Sequence, residues 1–210
     1  MDLQTDKYCT LKKIIDNDTI NNIMFGEIKW SQKVSSTRTI NKIYKGCVNM
    51  TDLDLKYLNH VVLPDGRIDV NLPEELYNKL ISKKTMDKIL SNFDKTFKIV
   101  HVNLLINPYN ENVQMWHQDN SSIDPNEYYT LLMPLVDEPM MGKTEIIVPY
   151  TYNFSKKHNI ITPNVTIGDG LCFSGCLWHR GTANLSKKTR YCIYMIISSH
   201  NKNELFENWK

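Results

Sequence analysis

The sequence lacks the features of a membrane-spanning or secreted protein. Among its 210 residues, no uninterrupted apolar run approaches the roughly 18 that a transmembrane helix needs. The first residues include two acidic side chains, Asp2 and Asp6, and no hydrophobic stretch, so they do not resemble a signal peptide. We therefore expect a cytoplasmic location and no association with a membrane.

The sequence also has little net charge and no cysteine framework. It contains 25 basic and 23 acidic residues, a net charge of +2, which gives no reason to expect a nucleic-acid partner. Five cysteines, an odd number in a chain without a secretion signal, indicate free thiols rather than disulfides. Because repeats and low-complexity segments are missing as well, this length with 41% hydrophobic residues favours a single compact domain.

The N-terminal part, residues 1–97, shows a mixture of helical and strand patterns. Apolar residues at helical spacing indicate helices, and alternating apolar and polar residues indicate strands. The predicted elements are a helix over residues 10–24, a strand over 28–34, a short strand before the turn at 64–66, and a helix beginning after Pro73. We interpret this part as a support region of helices and strands.

The remainder, residues 98–210, is rich in short β patterns separated by turn residues. The predicted strands cover residues 98–106, 113–119, 128–136, 144–148, 165–167, 171–174, 177–181 and 190–198. About eight short strands within a hundred residues are typical of a sandwich or jelly roll. Helices that precede the strands, rather than alternate with them, argue against a parallel sheet. The expected fold is therefore mainly β with N-terminal helices.

One short motif, Trp116-His117-Gln118-Asp119, predicts a metal site. On a strand, residues two apart point to the same face, so His117 and Asp119 can reach one ion. With the distant His179, they would supply two imidazoles and one carboxylate on one side of a metal. That set leaves the other side open and suits non-heme Fe(II). A His-x-Asp motif alone is weak, because short motifs often occur by chance.

Arg190 adds an anion site to this prediction. It lies eleven residues after His179 and begins the last long strand, which is otherwise apolar. A charged group that enters a buried strand needs a partner, and a guanidinium binds a carboxylate with two parallel hydrogen bonds. A dicarboxylate cosubstrate could therefore chelate the metal at one end and pair with Arg190 at the other.

Residues 98–199 resemble the catalytic core of the phytanoyl-CoA dioxygenase family, which belongs to the Fe(II)/2-oxoglutarate oxygenases. The matching segments are residues 116–119, Leu132-Met133-Pro134-Leu135 with Gly142 and residues 147–149, and the distal block of residues 168–171, His179, Gly181, Asn184 and Arg190. The resemblance implies a double-stranded β-helix, also called a jelly roll or cupin-like core. It implies Fe(II) bound by His117, Asp119 and His179, and 2-oxoglutarate held by Arg190.

The implied activity is a dioxygenase reaction that uses molecular oxygen, with hydroxylation of a small molecule as the expected outcome. Asp119 favours hydroxylation, since related halogenases lack this carboxylate to make room for a halide. Two alternatives stay open: a protein or nucleic-acid hydroxylase on the same core, and a non-enzymatic metal-binding jelly roll.

The sequence departs from the family pattern at two places, and several further residues are weaker candidates. Pro149-Tyr150-Thr151 stands where a Gly-Ser-His type ending is usual, and Gly181 replaces a serine that often follows the distal histidine by two residues. Asn103 and Thr130 are candidates for the cosubstrate, with a hydrogen-bonded core asparagine and a cross-strand threonine as the alternatives. Trp116 and Trp178 are candidate pocket walls, with core packing as the alternative, and Arg38, Tyr128 and Arg180 are candidates for the substrate.

Overall fold

The computed structural model describes residues 7–35, 37–148, 158–201 and 204–205, and this part of the chain is mainly β. The strands are β1 (Tyr8–Leu11), β2 (Glu27–Ser35), β3 (Arg38–Lys45), β4 (His60–Val62), β5 (Ile68–Asn71), β6 (Lys98–Asn107), β7 (Tyr128–Pro134), β8 (Thr144–Val148), β9 (Asn159–Ile161), β10 (Gly170–Ser174), β11 (His179–Gly181) and β12 (Arg190–Ser198). The helices before β6 are α1 (Asn17–Phe25), α2 (Asp52–Leu55), α3 (Glu74–Leu80) and α4 (Lys83–Leu90). None of the described helices is long and apolar enough to cross a membrane.

The strands form a large antiparallel sheet, a small sheet and a hairpin. The large sheet has the order β1-β10-β7-β12-β6-β5-β4, the small sheet has the order β11-β8-β9, and β2 pairs with β3. From β6 onward the chain passes repeatedly between the two larger sheets, as in a jelly roll. A bridge between His117 and His179 places the segment before β7 beside β11. Strands β1, β4 and β5 extend the large sheet from the N-terminal region.

The two faces of the large sheet have different surroundings. One face carries buried apolar residues, among them Leu104, Leu131 and Ile193, and it packs against the apolar sides of the helices. The alternate residues of the same strands, such as Asn103 and Tyr194, face a cavity between the sheets. This alternation follows from the two-residue period of a strand.

The N-termini of α1 and α4 cap each other. Asp16 is the N-cap of α1 and accepts a hydrogen bond from the backbone N–H of Thr19 at 2.8 Å. Its second oxygen accepts a hydrogen bond of 2.5 Å from the hydroxyl of Ser82, the N-cap of α4. The backbone N–H of Ser82 in turn donates to the hydroxyl of Thr19 at 2.9 Å. This network fixes the helix pair that covers the large sheet.

Replacement of Asp16 by alanine should lower the free energy of unfolding by about 1–2 kcal/mol, the usual cost of losing an N-cap. Burial opposes ionisation of Asp16, but the bonds from Ser82 and Thr19 lower its pKa below the ordinary 3.8. A lowered pKa means that the contribution is present at neutral pH and is lost as the pH falls below that value. Urea unfolding of the wild type, Asp16→Ala and Asp16→Asn at two pH values measures this. Asparagine keeps the acceptor for Thr19, so equal losses in both variants would contradict the capping role.

Three local predictions are wrong. Residues 10–24 do not form one helix, because β1 ends at Leu11 and Lys13 has a positive φ of 49° before α1 begins. Residues 113–119 contain a single bridge instead of a strand. Residues 165–167 lead into a turn in which Asp169 N–H bonds to the carbonyl of Thr166, and the small sheet instead uses β9. Pro149-Tyr150-Thr151 lies outside the described residues.

Candidate metal centre

Two backbone hydrogen bonds bring His117 and His179 side by side. The N–H of His117 donates to the carbonyl of His179 at 3.1 Å, and the reverse bond is 3.0 Å long. The centroids of the two imidazole rings are consequently 4.2 Å apart. Residues 62 positions apart in the numbering are thus joined by one bridge at the edge of the small sheet.

The two imidazoles are oriented in the same way. Nδ1 of His117 lies 2.9 Å from the carbonyl oxygen of Met115, and Nδ1 of His179 lies 2.9 Å from that of Leu177. Because a carbonyl oxygen only accepts, each Nδ1 carries the proton, and the neutral ring keeps a lone pair on Nε2. Such bonds to the second ring nitrogen are typical of metal-ligating histidines.

Asp119 completes the set of donors. Its Oδ1 lies 3.8 Å from Nε2 of His117 and 3.5 Å from Nε2 of His179. Its Oδ2 accepts a hydrogen bond of 2.5 Å from the hydroxyl of Thr130 on β7. The three ligand atoms lie within 4.8 Å of one another. Two imidazole nitrogens and one carboxylate oxygen in this arrangement fit a first-row metal with an open side.

The three groups also shift each other's pKa values. Burial lowers the pKa of His117, and the neighbouring His179 lowers it further. Burial alone would lower the pKa of His179, but the charge of Asp119 and the hydrogen bond to it raise that pKa. For Asp119, burial is outweighed by the imidazoles and Thr130, so its pKa is lowered. The carboxylate is therefore ionised and ready to bind a cation.

The ligand group lies in the wall of a cavity of about 250 Å³ between the sheets. Its large-sheet wall is formed by alternate residues of β6 and β12, namely His101, Asn103, Leu105 and Asn107, and Arg190, Cys192, Tyr194 and Ile196. Thr144, Gly181 and Gln114 contribute from the opposite side. The volume is slightly below the usual range of about 300–1,000 Å³ for pockets that bind small molecules.

Arg190 lies at one end of this cavity. It is the first residue of β12, is half-buried, and forms no ion pair with any residue that the structure describes. The loop before it is held by the side-chain amide of Asn184, which donates to the carbonyl oxygens of Asn107 and Lys188 at 2.8 and 3.0 Å. The cavity thus has a metal-ligand group on one wall and a guanidinium at one end.

Of the other predicted site residues, some line the cavity and others lie outside it. Asn103 lines the cavity and donates to Asp69 at 2.6 Å, while its buried Oδ1 has no hydrogen-bond partner in the described structure. Thr130 lies beside Asp119 and not near Arg190. The remaining candidates are not part of the cavity lining. Arg38 is exposed, Trp178 is half-buried, and Tyr128 belongs to a separate apolar cluster. Arg180 pairs with Glu145 and lies over the ring of Trp116.

Several polar residues of the cavity were missed in the sequence, among them Arg67, Asp69 and Gln114. Arg67 directly precedes β5, Asp69 lies in β5, and Gln114 lies three residues before His117. Gln114 accepts a hydrogen bond of 2.8 Å from the N–H of Gly181, and its amide nitrogen lies 3.4 Å from Nε2 of His117. A polar residue at every second position, opposite apolar Ile68 and Val70, is the signal that could have found Arg67 and Asp69.

Comparisons with known proteins give a match at the level of the fold. No family model matches the chain, and no curated protein is similar to it in sequence. One similar solved structure is AviO1 from Streptomyces viridochromogenes Tue57, with 14% identity and a TM-score of 0.59 over 93% of this chain and 91% of that chain. A second is the non-heme alpha ketoglutarate dependent epimerase SnoN from nogalamycin biosynthesis, with 11% identity and a TM-score of 0.57 over 93% of this chain and 77% of that chain. A third is EvdO2 from Micromonospora carbonacea var. aurantiaca complexed with 2-oxoglutarate, with 10% identity and a TM-score of 0.56 over 94% of this chain and 88% of that chain. At these identities the likeness concerns the fold alone.

Proposed function

We propose that the protein is an Fe(II)- and 2-oxoglutarate-dependent oxygenase that acts on a small molecule. The observation that carries this proposal is the convergence of His117 Nε2, His179 Nε2 and Asp119 Oδ1 on one cavity that also contains Arg190. Two proteins of similar fold support 2-oxoglutarate as the cosubstrate, since SnoN is described as alpha ketoglutarate dependent and EvdO2 is complexed with 2-oxoglutarate. The motifs of residues 98–199 favour the phytanoyl-CoA dioxygenase family as the narrower assignment.

In this proposal the three ligands bind the iron on one side, and bound iron with 2-oxoglutarate supplies the oxidising chemistry. The protein's own contribution is to position the reactants. The carbonyls of Met115 and Leu177 fix the two imidazole rings, and Thr130 orients the carboxylate of Asp119. Arg190, at one end of the cavity, would hold the far carboxylate of 2-oxoglutarate.

We further propose that the substrate is a small molecule and that the reaction is a hydroxylation. The cavity volume of about 250 Å³ favours a small ligand over an extended polymer. In the family that residues 98–199 resemble, halogenases lack the carboxylate found here at Asp119, so its presence favours oxygen transfer over halogenation. Proteins of the same fold also include an epimerase, SnoN, and a carbocyclase, SnoK, so the product has to be identified directly.

The test is succinate formation by protein reconstituted with Fe(II), 2-oxoglutarate and oxygen. A pool of metabolites is incubated with the wild type and with Asp119→Ala, and mass spectrometry identifies compounds that gain one oxygen. We expect succinate and an oxygenated product with the wild type alone. Binding of 2-oxoglutarate without succinate in any pool would indicate a non-enzymatic module instead, and an unsaturated or cyclised product would contradict hydroxylation.

A further inference from the structure

The turn between β4 and β5 fixes the guanidinium of Arg67. Gly66 has a φ of 85°, and this turn brings Asp65 and Arg67 together. The carboxylate of Asp65 accepts hydrogen bonds from the backbone N–H of Arg67 at 3.1 Å, from its Nε at 2.9 Å, and from its Nη2. Arg67 is only 9% exposed. Two of the three guanidinium nitrogens are therefore held by Asp65, and Nη1 is the one left to bind something else.

Nη1 of Arg67 points at Gly181. A Cβ atom built on Gly181 would lie only 2.7 Å from Nη1, so a side chain at this position would displace the guanidinium. Within the described residues, Nη1 donates no hydrogen bond, and both Arg67 and Gly181 line the cavity. The glycine thus leaves room for a fixed donor that faces the cavity.

The sheet register places Arg67 and Arg190 on the same row. Strand β5 pairs with β6 so that Ile68 lies opposite Ile106, and continuation of this register brings Arg67 opposite Asn107. Arg190 pairs with Asn107 from the other side. Neighbouring strands lie about 4.8 Å apart, so two arginines on either side of one residue can reach a common ligand.

Two further features mark this end of the cavity as a binding position. Asn107 is only 5% exposed, and its Oδ1 has no hydrogen-bond partner in the described structure. The two ends of an asparagine amide exchange by rotation, so Asn107 can offer either a donor or an acceptor to a ligand. Burial raises the pKa of Cys192 on the same wall, and the charges of Arg190 and Arg67 both counteract that rise. Both guanidinium groups therefore lie near one thiol.

We propose that Arg67 and Arg190 together hold the distal carboxylate of 2-oxoglutarate, with Nη1 of Arg67 as the second anchoring group. This inference rests on the proposed function and extends it to a residue outside the predicted core. Asp65 already pairs with Arg67, and Asp69 lies in the same cavity wall, so Arg190 supplies the unpaired positive charge and Arg67 contributes a hydrogen bond from Nη1. Gly181 is then a positioning residue, because the absence of a side chain lets Nη1 reach the ligand.

The test compares two probes that share the metal-binding end. Anaerobic Fe(II) protein is titrated with 2-oxoglutarate and with 2-oxobutyrate, a 2-oxo acid without the distal carboxylate. Binding of each is followed by the metal-to-ligand charge-transfer absorption of the Fe(II) complex. In Arg67→Gln we expect about ten- to hundred-fold weaker binding of 2-oxoglutarate, the range for a buried hydrogen bond to a charged group, and unchanged binding of 2-oxobutyrate. Lys12→Gln, which removes the cation of the ion pair between Lys12 and Asp169, is the control and should change the affinity for neither probe.

A second variant tests the same contact without removing the guanidinium. Gly181→Ala keeps Arg67 but displaces Nη1, so it should weaken 2-oxoglutarate binding in the same direction, and it decides the question if Arg67→Gln does not fold. Unchanged affinity for 2-oxoglutarate in both variants would overturn the inference and leave the proposed function intact. An equal loss for both probes would place Arg67 at the metal end and also overturn it. If the wild type does not bind 2-oxoglutarate, the proposed function fails and this inference fails with it.

Discussion

Replacement of Asp119 by alanine should abolish Fe(II) binding while the protein stays folded. The variant loses the one anionic ligand, whose Oδ1 faces both Nε2 atoms, and leaves two imidazoles that cannot neutralise the ion. We expect the same outcome for His117→Ala and His179→Ala. The loss should exceed the roughly 10- to 100-fold that removal of an outer hydrogen-bond partner costs. Anaerobic equilibrium dialysis with Fe(II), alongside circular dichroism of each variant, measures both effects.

Two further variants make this experiment specific. Thr130→Val removes the hydroxyl that orients Asp119 and keeps the shape, so it should weaken Fe(II) binding by only about 10- to 100-fold. His60→Ala is the matched histidine control, because Nδ1 of His60 also contacts a carbonyl two residues earlier, that of Leu58 at 3.2 Å, but the residue lies exposed on β4. His60→Ala should bind Fe(II) as the wild type does. Near-normal affinity in a folded Asp119→Ala protein would show that the ligand assignment is wrong.

The residues of the candidate metal centre could be predicted because each belongs to a short sequence motif. His117 and Asp119 stand two positions apart, and His179 and Arg190 are separated by a fixed spacing within a β-rich region. Even so, the reason given for the motif was incomplete. Residues 113–119 contain one isolated bridge and a backbone hydrogen bond from Gln114 to Gly181, and Met115 is 85% exposed, so little burial stabilises a strand there. The bridge from His117 to His179 brings the ligands together instead.

The features that could not be predicted depend on distant pairing. Strand β1 was missed, and its residues 10–11 were included in a predicted helix, because its partner is β10, more than 150 residues away in the chain, and no local pattern shows that pairing. The alternation around Ile68 could have assigned Arg67 to one face of a strand. Its place in the cavity, however, follows from the register of β5 with β6 and from the glycine at position 181, which are visible only after folding.

Replacement of Arg190 by alanine should weaken 2-oxoglutarate binding by roughly thirty-fold to several thousand-fold. Truncation of one member of a desolvated charge pair typically costs about 2–5 kcal/mol, and about 1.4 kcal/mol corresponds to a factor of ten. Arg190 has no ion-pair partner in the described part of the chain, so its charge is available to a ligand carboxylate. If Arg67 shares the carboxylate, the loss should fall in the lower part of this range, because one guanidinium remains.

The measurement is an anaerobic titration of 2-oxoglutarate into the Fe(II) forms of the wild type, Arg190→Lys and Arg190→Ala. Lysine keeps the charge but loses the two parallel hydrogen bonds and changes the reach, so it should restore only part of the affinity. Fe(II) affinity should be the same in all three, since Arg190 is not a metal ligand. The double variant Arg190→Ala with Arg67→Gln should lose less than the product of the two single losses, because both groups bind one carboxylate. Equal affinity of all three proteins for 2-oxoglutarate would remove Arg190 from the site, and with it the main structural reason for naming this cosubstrate.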